Sequence, residues 1–227
     1  MTNILVLYMI HAIIYDLDGT IVFSEPVGIE ALKLALKELN IEVDVLNFET
    51  LIYQPINDVL RVLFGKDEET IREVKILWFT HYVKLAFEQG KLKLAPGIKE
   101  TLEELKRQGY LIALGTGSFY GLADMTLEHF NIKEYFDVIV TIDEVTHPKP
   151  DLETFQLIAK YLNVSPEECI VIGDTKYDII AAKYFGCLSV LYDVPITPQE
   201  IKEDEAIKPD FRIYHHNELL TVLKAIT

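Results

Sequence analysis

Basic residues are scarce in this chain. Lys and Arg number 21 against 36 Asp and Glu, a formal net charge of −15 over 227 residues. Such a surface repels nucleic-acid backbones and anionic membranes. It repels phosphate esters too, so any phosphate site must gather positive charge locally, as a metal ion with a lysine would. Cysteine is scarcer still. Cys169 and Cys187 are the two present, with no CxxC spacing and no Cys/His cluster of the zinc-binding kind. They read as small buried hydrophobes in a reducing compartment. Long apolar runs are also missing, since none reaches the ~18 residues of a membrane span. The apolar start, Thr2 to Ile10, has no basic n-region and no small-residue cleavage site. It reads as a strand with a short leader rather than a signal peptide. Met9 is an alternative start, because Met9-Ile10-His11-Ala12 would open the domain at its first strand. The expectation is a soluble, cytoplasmic protein without nucleic-acid or membrane partners, either monomer or homodimer. Repeats and low-complexity tracts are absent.

What is present is ample core material. Half the residues are apolar, and the length suits a core domain carrying a smaller insertion. Ile10 to Tyr15 is a β-branched apolar run that ends at Asp16 and Gly19, the pattern of a buried parallel strand opening into a polar loop. From Glu25 to about Phe87 the chain reads helical. Ala31-Leu32, Leu34-Ala35-Leu36 and Leu39 recur at helical spacing, as do Ile71, Val74, Leu77-Trp78, Tyr82 and Leu85-Ala86. Asn57 is placed to cap a short helix from Asp58 to Phe64, and Gly65 to stop it.

Strand–helix alternation begins after Ala95-Pro96-Gly97. Helices are predicted over Ile98–Gln108, from the Gly117-Ser118 turn to His129, over Asp151–Leu162 and Tyr177–Phe185, and from Glu218 onward. Another short one is predicted near Pro198–Glu205. Strands are predicted at Tyr110–Leu114, Val138–Val140, Cys169–Ile172, Leu188–Leu191 and Phe211–Ile213. This repetition implies an α/β fold with a doubly wound, Rossmann-like parallel sheet. Residues 1–23 and 95–227 would form the core. Residues 24–94 would be an inserted helical cap above the strand ends, where open parallel sheets bind ligands.

Four predicted strand ends carry polar clusters. Asp16 and Asp18 follow the first strand. Thr116, with Gly117 and Ser118, follows Tyr110–Leu114. Lys149 lies in the loop after Val140, and Asp174 follows Cys169–Ile172 with Asp178 four residues on. Carboxylates gathered at one crevice repel one another unless a cation compensates, and oxygen ligands of this kind suit Mg²⁺.

These pieces in this order resemble the haloacid dehalogenase-like hydrolase superfamily, with a small helical cap of the phosphoglycolate phosphatase-like kind. Asp16-Leu17-Asp18-Gly19-Thr20 is similar to its nucleophile motif, and Thr116 sits at the Ser/Thr of the second motif. Lys149 matches the third-motif lysine, and Gly173-Asp174-Thr175-Lys176-Tyr177-Asp178 the acidic fourth motif. The resemblance implies a phosphatase in which Asp16 attacks phosphorus and forms an aspartyl-phosphate. Asp18 would act as general acid and then base. Asp16, Asp174 and the backbone carbonyl of Asp18 would hold Mg²⁺. Thr116, the backbone around Gly117-Ser118 and Lys149 would hold the phosphoryl oxygens. Asp178 would orient a metal-bound water or Lys149.

Asp18 distinguishes among members, because a 2-haloacid dehalogenase needs no leaving-group proton donor two residues after the nucleophile. A sugar phosphomutase carries a histidine where this chain has Gly28. Phe23-Ser24, Gln54-Pro55 and Leu152 depart from the phosphoglycolate phosphatase pattern. The expected substrate is therefore a small phosphorylated metabolite. The phosphomutase, the dehalogenase and a catalytically silent interaction protein are the alternatives. Blander readings apply elsewhere. Asp143, Glu144 and His147 are expected in a solvated loop, His215-His216 at the surface, and Trp78, Phe79, Tyr82 and Phe87 in the core of the helical insertion.

Overall fold

The structure, a computed structural model, describes residues 9–43, 56–193 and 207–226. The helix predicted near Pro198–Glu205, the leader before Met9 and Gln54-Pro55 lie outside the described residues. Two compact units are drawn from the chain, one from Met1–Ile21 with Leu94–Thr227, the other from Val22–Lys93.

The first unit is built on six parallel strands: β1 (Ala12–Tyr15), β2 (Leu111–Gly115), β3 (Val138–Val140), β4 (Cys169–Gly173), β5 (Leu188–Tyr192) and β6 (Phe211–Ile213). Their spatial order is β3-β2-β1-β4-β5-β6. The chain fills one side of β1 first and then crosses to the other, so the order reverses at β1, where doubly wound sheets bind ligands. Helices α4 (Ile98–Arg107), α5 (Tyr120–His129), α6 (Glu153–Leu162), α7 (Lys176–Phe185) and α8 (Glu218–Ile226) connect or follow the strands. Every residue of β1 and β4 is buried, because a parallel sheet covered on both faces exposes neither side of a central strand. Ala12, Ile14, Ala113 and Val171 pack with Phe155 and Ile158 of α6 and Ala181, Ala182 and Phe185 of α7.

Register decides the site. Tyr15 pairs with Leu114 on one side and Ile172 on the other, and Gly115 pairs with Val140. Asp16, Thr116 and Asp174 therefore leave the sheet at one edge. Two boundaries differ from expectation for local reasons. The strand predicted at Tyr110–Leu114 runs one residue later, because Gly115 keeps its pairing with β3. A Cβ there would press on Ile158 at 3.0 Å and Thr154 at 3.1 Å, so glycine lets α6 close onto the sheet. Helix α6 starts at Glu153 rather than Asp151, whose carboxylate accepts the Glu153 amide and turns the chain first.

The second unit holds α1 (Glu25–Glu38), α2 (Ile56–Phe64) and α3 (Glu68–Val83), which runs into a π-helical turn at Lys84–Glu88. Asn57 lies inside α2 rather than capping it, a correction to the sequence reading; Gly65 at φ 62° ends the helix as expected. Asp67 caps α3 by accepting the Thr70 amide at 3.1 Å. Trp78 and Tyr82 are buried, 5.3 Å apart, and the Trp78 indole N–H donates to the Gly28 carbonyl at 3.0 Å. Both belong to this unit's core, while Phe79 and Phe87 are half-buried.

Candidate active site

Asp16 continues the β1 ladder by one bond, its amide donating to the Ile172 carbonyl at 2.9 Å. The backbone of the candidate nucleophile is thus held by the central strand pair. The chain then turns through Gly19, whose φ of 77° is open to glycine and strained for other residues. The Ile21 amide closes the turn on the Leu17 carbonyl at 2.8 Å. Within this loop the Thr20 hydroxyl donates to Asp174 Oδ1 at 2.8 Å.

Lys149 organises the floor. Its ammonium donates to Asp16 Oδ1 at 2.6 Å, to Asp178 Oδ1 at 2.6 Å and to the Gly115 carbonyl at 3.0 Å. Three donors meet three acceptors, so its position is fully determined. Asp178 is held from the other side, its Oδ2 accepting from the Thr175 amide at 3.2 Å and hydroxyl at 2.6 Å. That reciprocal capping box opens α7. Gly173 makes room for it, because a Cβ there would run into the Asp178 side chain.

One carboxylate oxygen each from Asp16, Asp174 and Asp178 lies within 4.8 Å of the others, all three residues buried. Burial pushes the Asp16 carboxyl up to about 7. The Lys149 ammonium opposes the rise, and the charges of Asp178 and Asp18 add to it. Burial works against the charge on Lys149 itself, but Asp16 and Asp178 outweigh it and raise its pKa. Lys149 pairs with two of these carboxylates, Asp16 and Asp178. The donor set is all oxygen, which fits a hard divalent cation.

Thr116 is buried, its amide bonded to the Val140 carbonyl at 3.0 Å. The Ser118 amide was expected to face phosphate. It instead donates to Thr116 Oγ1 at 3.0 Å, a hydroxyl-closed turn. The Ser118 hydroxyl donates to Asp18 Oδ2 at 2.6 Å, which joins the second motif to the first. The space beside the Gly117 Cα is open.

The neighbouring candidates resolve as structural groups. Asp143 Oδ2 accepts the Tyr120 amide at 2.6 Å, at the first turn of α5. Glu144 accepts from the Thr141 amide, and exposed His147 pairs with Glu153 at 3.2 Å. Cys169 and Cys187 are buried free thiols, and burial pushes Cys169 up to about 12. His216 contradicts the surface reading. Its side chain is fully buried, stacked on Tyr192 at 4.3 Å, with Nε2 2.8 Å from the Thr20 carbonyl. One hydrogen bond and two aromatic neighbours let an imidazole be enclosed where the local sequence looks like a polar loop. Thr20 and Thr175 are the other participants that had no assigned role. Both stand inside the Asp16–Thr20 and Gly173–Asp178 runs, which is the signal the sequence carries.

Strand-end carboxylates around a nearly enclosed lysine, on a doubly wound parallel sheet, form an acidic cluster of the kind a hydrolase centre uses. The haloacid dehalogenase-like hydrolase family matches residues 13–192, and the chain belongs to that family. Pyrophosphatase PpaX of Bacillus cereus (strain ATCC 10987) is 30% identical over 220 residues, spanning 94% of this chain and 96% of that protein. Among solved structures, CbbY from Rhodobacter sphaeroides in complex with phosphate aligns with a TM-score of 0.80 and 25% identity. The alignment covers 95% of this chain and all of that one (100%). A hydrolase from Pseudomonas syringae aligns at 0.77 and 26% identity, covering 96% and 99% of the two chains.

Proposed function

We propose that this hydrolase is a Mg²⁺-dependent phosphatase that cleaves a small phosphorylated metabolite through an aspartyl-phosphate on Asp16. The enzyme class, a phosphoric monoester hydrolase, agrees with the family and with the names of its relatives. The observation that carries the reading is Lys149 clamped between Asp16 and Asp178, with Asp174 within ligand reach. One Asp16 oxygen is held by Lys149, which orients the carboxylate for in-line attack. Attack forms the Asp16–phosphorus bond and releases the leaving alkoxide. Asp18, its carboxylate steered by Ser118, gives that alkoxide a proton. It then takes one from the water that cleaves the acyl-phosphate. Thr116, Gly117 and Lys149 bind the phosphoryl oxygens, Lys149 giving up its bond to the Gly115 carbonyl to do so, and Asp178 positions Lys149. Asp16, Asp174 and the Asp18 carbonyl would hold Mg²⁺, which when bound neutralises charge between nucleophile and substrate. Residues 24–94 would serve as the substrate-selecting cap and 1–23 with 95–227 as the catalytic core.

Hydrolysis of p-nitrophenyl phosphate tests this. Activity is expected with Mg²⁺, loss with EDTA, and a fall of about 10³-fold or more in Asp16→Asn. Undiminished turnover in Asp16→Asn would sink the nucleophile assignment. A panel of phosphorylated metabolites identifies the substrate, and pyrophosphate belongs on it because the PpaX relatives carry that activity in their name. Hexose 1-phosphate converted to the 6-phosphate would restore the phosphomutase alternative.

A further inference from the structure

His216 occupies the connection between β6 and α8, far from the four motifs in sequence. Its ring lies between Tyr192 at 4.3 Å and Tyr15 at 5.9 Å, and Tyr15 immediately precedes Asp16. Two polar atoms in this pocket have no partner among the described residues, His216 Nδ1 and the Tyr15 hydroxyl. Each unpaired buried group costs stability, because it gives up water without gaining a partner. An apolar side chain would fill the slot without an orphaned nitrogen, so packing alone does not call for histidine. What an apolar residue lacks is the Nε2–H donated to the Thr20 carbonyl at 2.8 Å. A carbonyl only accepts, so Nε2 carries a proton and is the donor in this bond.

That bond falls on the last residue of the Asp16–Thr20 loop. Thr20 in turn donates its hydroxyl to Asp174 Oδ1 at 2.8 Å. The line His216–Thr20–Asp174 therefore ties the C-terminal segment to a candidate metal ligand. Thr20 is wholly buried and held at its carbonyl, so its hydroxyl meets Asp174 from a fixed direction.

We propose that His216 is a positioning residue: through Thr20 it orients the Asp174 carboxylate for divalent-cation binding. The inference rests on the reading of Asp174 as a Mg²⁺ ligand. Outer partners of metal ligands typically change affinity or activity 10–100-fold when removed, and a partner one link further out belongs at the low end.

The test measures Mg²⁺ affinity by titration calorimetry, together with p-nitrophenyl phosphate kinetics, for wild type, His216→Leu, His216→Gln and Thr20→Val. His216→Leu is expected to weaken Mg²⁺ binding about tenfold, with KM unchanged at saturating Mg²⁺. Glutamine can present an amide N–H to the same carbonyl and should restore most of the affinity. Thr20→Val breaks the second link and should reproduce the loss. A packing role alone would lower the melting temperature while the folded variant bound Mg²⁺ as wild type does, and that result overturns the inference. Should His216→Leu fail to fold, wild-type affinity in Thr20→Val overturns it equally. Wild type that neither binds Mg²⁺ nor turns over substrate overturns the phosphatase reading and this inference together. Normal wild type with variants matching it overturns the inference alone.

Discussion

Lys149 shows what a single side chain can hold. It is almost enclosed, and its ammonium pairs with both Asp16 and Asp178 at 2.6 Å. Removing one partner from a buried ion pair costs more than the pair contributes, because the remaining charge stays desolvated. Lys149→Met should therefore lower stability by about 3–5 kcal/mol in metal-free protein at pH 8, read by urea denaturation, and should abolish hydrolysis. Asp18→Asn is the contrast. Asp18 is half-buried and bonded to Ser118, so its loss should leave the melting temperature near wild type while kcat falls by ~10²–10⁴. Both positions were legible in the sequence because each is a charged residue in the loop that follows a short apolar strand. His216 was not. Its partner Thr20 is 196 positions away, and nothing local distinguishes a buried histidine from a loop one. Ser118 was half legible: the position was singled out, but its bond to Asp18 depends on two loops meeting.

At the scale of elements, the site is a property of strand register and of the first turns of helices. The strands could be read because each is short, apolar and followed by a polar turn. Their order could be inferred as a class, although the pairing of Tyr15 with both Leu114 and Ile172 needs the folded sheet. Asn57 misled because a residue with capping chemistry also tolerates a helix interior, and propensity is weak beside packing. The junction of β4 and α7 is where element geometry and chemistry meet. Gly173 ends the strand, Thr175 and Asp178 cap the helix, and the same Asp178 grips Lys149. A methyl group at Gly173 would collide with Asp178. Gly173→Ala is expected to cost about 1–3 kcal/mol, the range for overpacking, and to lower kcat through displaced Lys149. Far-ultraviolet circular dichroism should stay native, since the strand conformation admits alanine. A variant with native stability and native kcat would show that Asp178 can move without consequence.

For the whole molecule, pH reads out how buried groups tie the chain together. Burial lowers the His216 pKa to about 4, with the Thr20 bond opposing and His215 adding to the fall. In the unfolded chain the ring titrates near its ordinary value of 6.5. Between those values the unfolded state binds the extra proton, so stability from this group is complete above pH 6.5 and is lost as pH falls toward 4. The full loss is about 3 kcal/mol at ~1.4 kcal/mol per pKa unit. Asp16 acts in the opposite sense over an overlapping range. Its carboxyl is raised from 3.8 to about 7 by burial, so in metal-free protein the folded state holds the extra proton and stability falls as pH rises through that window. The two slopes partly cancel in wild type, and a flat wild-type profile would be uninformative by itself. His216→Gln removes one of them and keeps a donor for Thr20. Urea denaturation of both proteins in EDTA from pH 4.5 to 7.5 should show wild type gaining relative stability as pH rises, most steeply below pH 6.5. A difference that stays constant across this range would mean that His216 titrates alike in the folded and unfolded chain, contrary to its enclosure between Tyr15 and Tyr192.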